Sequence, residues 1–411
     1  MSIRKILNTL FFIMCLFVFI FNYNDTLFLG IPAYTWTNLT VVAYMGFSLY
    51  KVLKLQGGTL KWNGILTWFL LFVVACFISI SYSYARNASI SRTLRMFELF
   101  IMCIAIYQQL DSKDNLDTHI MLYVWAGTLA AIYLMSFSDR TQRIGDVVGD
   151  ANQIGITFAF AATMALYLLK KKKKIIYLLS ISVLTIAILL TGSRAALILI
   201  VLSIISNIYI SAFQNRWSFL KVIVMTIVIV GILVGGLYMI LNVESLYRTI
   251  GIRVLSFYQI TNGKESVYHE TSTFTRMKYM QSAFEWFLQS PIWGHGINSY
   301  QAYNRDFVFG VSAFSHCDYV ELLSALGIIG AVIFFCPFLF FLRPMFSRGT
   351  FNDIQLQNVL MFSLSAEFLI GEIFLVMYYE KEIWILIPML IRMYEISKAE
   401  SMERKNVIQG E

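Results

Sequence analysis

The sequence predicts an all-α, polytopic integral membrane protein with about twelve transmembrane helices. Three observations predict it. Of 411 residues, 58% are hydrophobic, 16% aromatic and only 14% charged, with a mean hydropathy of +0.68, values outside the soluble globular range. Apolar runs of about 20 residues, the length that crosses hydrocarbon, recur along nearly the whole chain. The polar breaks between them leave no room for a soluble domain of ordinary size, so residues 1–411 read as a single polytopic membrane domain. The environment implied is a lipid bilayer, with no nucleic-acid partner.

The predicted spans fall at about 6–22, 33–50, 64–82, 93–110, 118–137, 152–169, 175–191, 195–213, 222–241, 319–341, 355–378 and 383–397. The first begins with MSIRK and ILNTLFFIMCLFVFIF. It resembles a signal peptide in charge and apolar core, but NYNDTLF offers no small-x-small cleavage site, so it reads as a retained helix. The five lysines Lys170 to Lys174 set the orientation, because short loops rich in lysine and arginine stay cytoplasmic. Both termini then fall on the cytoplasmic side. Lys51, Lys54 and Lys61, then Arg216 and Lys221, then Arg343 and Arg348 occupy further cytoplasmic breaks.

Residues 242–317 form a large outer loop of 76 residues between the ninth and tenth spans, and connections that long are usually functional. Within it, TSTFTRMKYMQSAFEWFLQSP predicts an amphipathic helix with hydroxyl caps and a proline stop. Arg276, Met280, Ala283 and Phe287 share its inward face, whereas Lys278, Gln281 and Glu285 take the other. Five cysteines, at positions 15, 76, 103, 317 and 336, contain no CxxC pair and exclude a disulfide framework or zinc site as the organising principle.

The basic residues divide by side. This topology places 13 lysines and 6 arginines inside, but 3 lysines and 10 arginines outside. Lysine suffices as a topological anchor, whereas the guanidinium fork grips phosphate in two directions and stays charged. An outer cavity for a phosphorylated ligand would carry this bias. The plain alternative is that outer arginines snorkel from helix ends or pair with carboxylates.

Four outer sites stand out. In RIGDVVGDANQIG, Arg143 and Asn152 flank a glycine-bearing loop, which is otherwise an ordinary polar turn with an asparagine cap. In TGSRAALILI, Arg194 closes the shortest outer connection at membrane depth, or snorkels from it. Arg276 faces inward on the amphipathic helix, where it binds an anion or pairs with Glu270 or Glu285. In FSHCDYVELL, His316 opens an apolar helix, with Asp318 and Glu321 placed favourably at its positive end. Taken jointly, outer arginines and a histidine supply what transfer from a lipid pyrophosphate requires: positive charge on the leaving diphosphate, and a base for a hydroxyl proton. No cofactor, covalent step or metal is demanded.

GDANQIG, TGSRAAL, TRMKYMQSAFEWFLQSPIWGHGINSY and SHCDYVELLSALGIIG, in that order over about residues 140–335, resemble the landmarks of the O-antigen polymerase and O-antigen ligase superfamily. These are the Wzy- and WaaL-like membrane glycosyltransferases. The resemblance implies an undecaprenyl-pyrophosphate-linked oligosaccharide as donor and a metal-independent, inverting transfer. It maps the arginine of the SR turn onto Arg194, the loop arginine before the PxxGxG segment onto Arg276, and the histidine onto His316. Arg143 with Asn152 matches the family's R…G…N loop more loosely. The family commonly has His-Asn where this chain has His316-Cys317, which leaves Asp318 to orient substrate or makes that contact dispensable. His295, in PIWGHGINSY, is a second outer histidine; His316 is favoured as base because helices position groups better than glycine-flanked loops.

The sequence therefore points to a polysaccharide repeat-unit polymerase at the outer face, with Arg194, Arg276 and Arg143 on the pyrophosphate and His316 as base. Chain-length regulators or other polysaccharide-assembly proteins are natural partners. The rivals are a ligase that moves finished glycan to another acceptor, a lipid-linked oligosaccharide flippase, and a structural scaffold. A flippase would place charges at the bilayer midplane in related halves; here they gather at the outer boundary.

Overall fold

A computed structural model describes residues 3–21, 27–55, 57–137, 143–145, 149–214, 216–244, 247–252, 255, 271–343 and 353–410. The chain is an all-α membrane bundle. Its helices are α1 Ile3–Phe21, α2 Ala33–Leu55, α3 Gly64–Ser79, α4 Arg86–Tyr107, α5 Lys113–Phe137, α6 Ala151–Lys172, α7 Ile175–Thr191, α8 Arg194–Gln214 and α9 Phe219–Asn242. There follow α10 Thr271–Phe287, the short α11 Tyr300–Tyr303 running into a π-helical turn Asn304–Val308, α12 Asp318–Leu342, α13 Asp353–Gly371 and α14 Lys381–Gly410. One antiparallel ribbon of two-residue strands, Leu27–Phe28 with Ile31–Pro32, precedes α2.

Every predicted apolar run falls on a helix. Among the described residues, eight helices (α1, α3, α5, α6, α8, α9, α12 and α13) are long and apolar enough to cross a membrane, and α7 is a shorter apolar helix. The bounds differ in three informative places. α4 begins at Arg86 rather than near 93, so its first turns carry arginines. α13 stops at Gly371 although the apolar run continues to 378, because the amides of Met377 and Tyr378 turn onto the Asp318 carboxylate instead of continuing a helix. α14 runs to Gly410 rather than 397, well beyond its apolar portion.

Polar side chains tie the helices together at the pentalysine end. Lys171 binds Asp117 at 2.7 Å, Lys51 binds Asp111 at 3.7 Å, and Glu395 accepts from Asn63 at 2.6 Å and Tyr107 at 2.5 Å. A polar seam runs inward from there: Lys170 to Asn207 at 3.3 Å, Asn207 to Ser363 at 3.2 Å, and Thr163 to both Ser203, at 2.7 Å, and Glu367. Buried polar groups must be paired, so this seam sets the register of α6, α8 and α13. The far ends of α6 and α8 carry Asn152 and Arg194.

The opposite end is built around a break in α12. Gly327 has φ 65° and ψ −168°, which interrupts the helix. The carbonyls of Ser324 and Ala325, freed by the break, accept from the amides of His295, at 3.0 Å, and Gly296, at 2.8 Å, while Ile328 donates to Pro291 at 2.9 Å. PIWGHG thus lies across the break as a clasp. The fit is tight on both sides: a Cβ on Gly294 would lie 2.4 Å from the Ala325 carbonyl carbon, and one on Gly327 would lie 2.2 Å from the Ile292 oxygen.

The clasp is also bolted to the corner between α3 and α4. Ile297 donates to Ser79 at 3.1 Å, Tyr84 donates to the His295 carbonyl at 2.9 Å, and Ser89 reaches the Ile297 carbonyl. α10 hangs from it with Tyr279, Ala283, Trp286 and Phe287 inward. Its other face, Phe274, Met277, Phe284 and Leu288, is exposed. Lys278, Gln281 and Glu285 are exposed among these apolar residues, with the Lys278 ammonium 4.4 Å over the Phe274 ring. Much of the predicted loop around 256–270 lies outside the described residues.

Gly327→Ala should be among the most damaging small substitutions in the chain. A positive φ and a backbone clash together cost about 3 kcal/mol or more, and the yield of monodisperse protein in detergent should collapse while Gly46→Ala, in open space, purifies normally.

Candidate functional site

The site lies at the end opposite the pentalysine. Its first part is the connection into α6. Asp150 caps that helix by accepting from the Asn152 amide at 2.7 Å, so Asp150 rather than Asn152 is the cap. This frees the Asn152 side chain, whose Oδ1 accepts from the Arg143 guanidinium at 3.2 Å. Arg143 also donates through Nε to the Thr191 carbonyl at 2.6 Å, and Ile144 donates to Leu190 at 3.2 Å. The loop before α6 is therefore fastened to the turn that carries Arg194.

That turn is local chemistry. Gly192, at φ 61°, ends α7 in the left-handed conformation, and Ser193 accepts from the Ala196 amide at 3.3 Å to start α8. Arg194 is half-buried as the first residue of α8. Gly155 lets α6 pass close beneath: a Cβ there would stand 2.9 Å from Ala196 and 3.0 Å from Thr191. Arg143, Asn152 and Arg194 thus belong to one rigid unit, although they come from two loops.

His316 forms the second part. It adopts φ 59°, a left-handed conformation that costs a non-glycine residue energy and persists only when its neighbours enforce it. Ser315 does so, donating through Oγ to the Cys317 carbonyl at 3.0 Å while its own amide is held by Glu321 at 2.9 Å. Asp318 anchors the other side. Its carboxylate accepts from Met377 at 2.8 Å and Tyr378 at 2.7 Å, and its amide donates to Glu372 at 2.8 Å. The imidazole lies alongside Tyr279 of α10, with ring centroids 6.0 Å apart.

Electrostatics join the two parts. Burial, then the positive charge of Arg276, hold the His316 pKa down to about 4, and Asp150 pulls it weakly upward. Arg276 of α10 and Asp150 at the head of α6 therefore both act on this imidazole, which is neutral at pH 7. Glu285 accepts from Gln281 at 2.9 Å on the outward face of α10; Glu270 lies outside the described residues.

The other predicted residues are placed differently. His295 stacks on Trp286 at 4.2 Å and 4°, and its Nε2 lies 2.9 Å from the Trp286 carbonyl. Burial holds its pKa below the ordinary value. Asp318 is fully buried beneath the 372–380 turn. Both brace the clasp and the His316 turn. Cys317 is buried and makes no side-chain cap, and all five cysteines are free.

One residue escaped the sequence reading. Arg92 of α4 lies 3.5 Å over the Tyr379 ring, 5.6 Å from that of Phe314, and donates to Asn298 at 3.3 Å. Its charge acts on both Asp318 and Glu321. Arg92 thereby ties α4 to Asn298 beside the clasp and to Phe314 and Tyr379 beside the His316 turn. The expected span began at 93, just past Arg92, so the position of this arginine inside α4 was hidden by the misplaced helix start.

Residues 179–335 match a family model described as O-Antigen ligase. The match runs from α7 to α12 and contains Arg194, Arg276, His295, His316 and Asp318. The matched segment is under half of the chain; it is similar to the family that the motifs resemble, and supports a membrane enzyme that transfers glycan. Arg143 and Asn152 lie before the matched segment but are bonded into it through Thr191. No curated protein matches the chain.

Arg92→Ala should lower the unfolding temperature of the purified protein, because the stack on Tyr379 and the hydrogen bond to Asn298 are lost. Arg92→Lys should recover only part, since the flat stacking on Tyr379 is lost.

Proposed function

We propose that the chain is a polysaccharide repeat-unit polymerase of the bacterial cytoplasmic membrane, with both termini cytoplasmic and the site on the outer face. The observation that carries this reading is a neutral imidazole, His316, held by a strained turn within the field of Arg276, at the end of the bundle that also bears Arg143 and Arg194. His316 accepts the proton of a sugar hydroxyl on the incoming lipid-linked repeat unit. The hydroxyl oxygen attacks the anomeric carbon of the growing chain from the face opposite the diphosphate, and the bond from that carbon to the pyrophosphate oxygen breaks. Arg194 and Arg276 hold the undecaprenyl pyrophosphate as it leaves, assisted by Arg143. Guanidinium groups supply the charge, so the transfer needs no metal and should persist in a chelator.

The base also responds to its substrate. Arg276 depresses the imidazole in the free protein, and a bound pyrophosphate offsets that charge, which raises the pKa of His316 when the proton must be taken.

A ligase is the second reading, favoured by the description of the matched family. Both reactions use the same donor, and the acceptor separates them.

In a host lacking the gene, His316→Ala, Arg194→Ala and Arg276→Ala should each abolish the polysaccharide ladder. Accumulated single repeat units identify a polymerase; long chains left on undecaprenyl pyrophosphate identify a ligase. A normal ladder in all three variants overturns both readings.

With purified protein, the acid limb of kcat/KM assigned to His316 should lie well below pH 6, since the free imidazole protonates only near pH 4. The limb of kcat should lie at higher pH. Coincident limbs would remove the substrate-coupled base.

A further inference from the structure

We propose that the rigid turn 304–309 is a saccharide shelf, which seats the sugars of the acceptor glycan next to the one whose hydroxyl meets His316. This rests on the transferase reading above, and deepens it by assigning the acceptor side. The pyrophosphate residues account for the donor.

The shelf presents aromatic rings to solvent on an otherwise well-braced loop. Phe307 is 68% exposed, Tyr84 45% and Phe309 42%. They are fixed in place: Tyr84 and Phe307 lie 6.0 Å apart, and Phe309 packs on Tyr279 at 5.2 Å. Asn304 closes the loop, accepting from the Phe309 amide at 2.9 Å and donating to the Val311 carbonyl at 3.1 Å. Exposed rings held this firmly lose little freedom when something binds to them.

Two features say what binds. Tyr279 touches both Phe309 and His316, with ring centroids 5.2 and 6.0 Å away, so Phe309 lies within a sugar residue or two of a hydroxyl at His316. Among the rings lies a charged pair. Asp306 accepts from Arg305 at 2.8 and 3.3 Å and from the Tyr84 hydroxyl at 2.9 Å, leaving outward lone pairs and guanidinium N–H groups. A pyranose offers a C–H face to an aromatic ring and a rim of hydroxyls to a carboxylate and a guanidinium, and this patch offers both. Acyl chains would meet an exposed carboxylate there.

The test uses the full-length protein in nanodiscs and the delipidated repeat-unit oligosaccharide from the host's own undecaprenyl-linked pool, titrated by saturation-transfer NMR. Phe307→Ala and Phe309→Ala should each weaken saccharide binding about three- to tenfold, and Asp306→Asn should weaken it as well, with unfolding temperatures near native. The acceptor KM should rise in step, while affinity for undecaprenyl pyrophosphate alone stays native. Saccharide affinity unchanged in both phenylalanine variants overturns the shelf, as does a loss confined to liposome association. His316→Ala separates the two readings: transfer surviving in that variant defeats the base assignment, whereas the shelf stands or falls on saccharide affinity alone.

Discussion

The clasp between PIWGHG and the broken turn of α12 is the constraint on which the rest of the site depends. Breaking a helix inside an apolar bundle exposes carbonyls that have no water to turn to. Here the amides of His295 and Gly296 take them, so the break is stable only while the loop is docked. The loop in turn fixes α10 through Trp286 and the α3–α4 corner through Ser79 and Ser89. Arg276 rides on α10 and His316 on the approach to α12. Their mutual placement follows from backbone hydrogen bonds rather than from long flexible side chains, which is the kind of support a charged site requires.

A second layer of support is electrostatic. Asp318 and Glu321 are fully buried carboxyl groups that accept from backbone amides. Their role is to enforce a left-handed histidine. Strain of that kind costs energy and is retained where it aims a group. The same economy explains Cys317: with Ser315, Glu321 and Asp318 already fixing the turn, its side chain can be small, apolar and buried.

Much of the fold was legible because hydrocarbon is an unforgiving solvent: each apolar run became a helix, and the inward face of α10 followed from the spacing of Arg276, Met280, Ala283 and Phe287. The SHCD and RIGDVVGDANQIG motifs were visible, but His316 stands in a left-handed turn two residues before α12 and does not open the helix as expected. What the sequence concealed was pairing between distant segments. The break at Gly327 depends on amides thirty residues earlier, the end of α13 depends on Asp318, and the cap of α6 is Asp150 because its backbone is extended where Asn152 is helical. His295 and His316 look alike as residue types; only the stacking on Trp286 and the charge of Arg276 separate them.

The break at Gly327 also divides α12 mechanically. Below it, the segment to Leu342 is an apolar rod that answers to the thickness of the bilayer, and such rods tilt when lipid composition changes. Above it, the turns from Asp318 to Leu326 are fastened to the clasp and to the 372–380 turn. Ile328, the first residue of the lower rod, is itself hydrogen-bonded to Pro291 at 2.9 Å, so a tilt of that rod bears on the same clasp that positions His316 and Arg276.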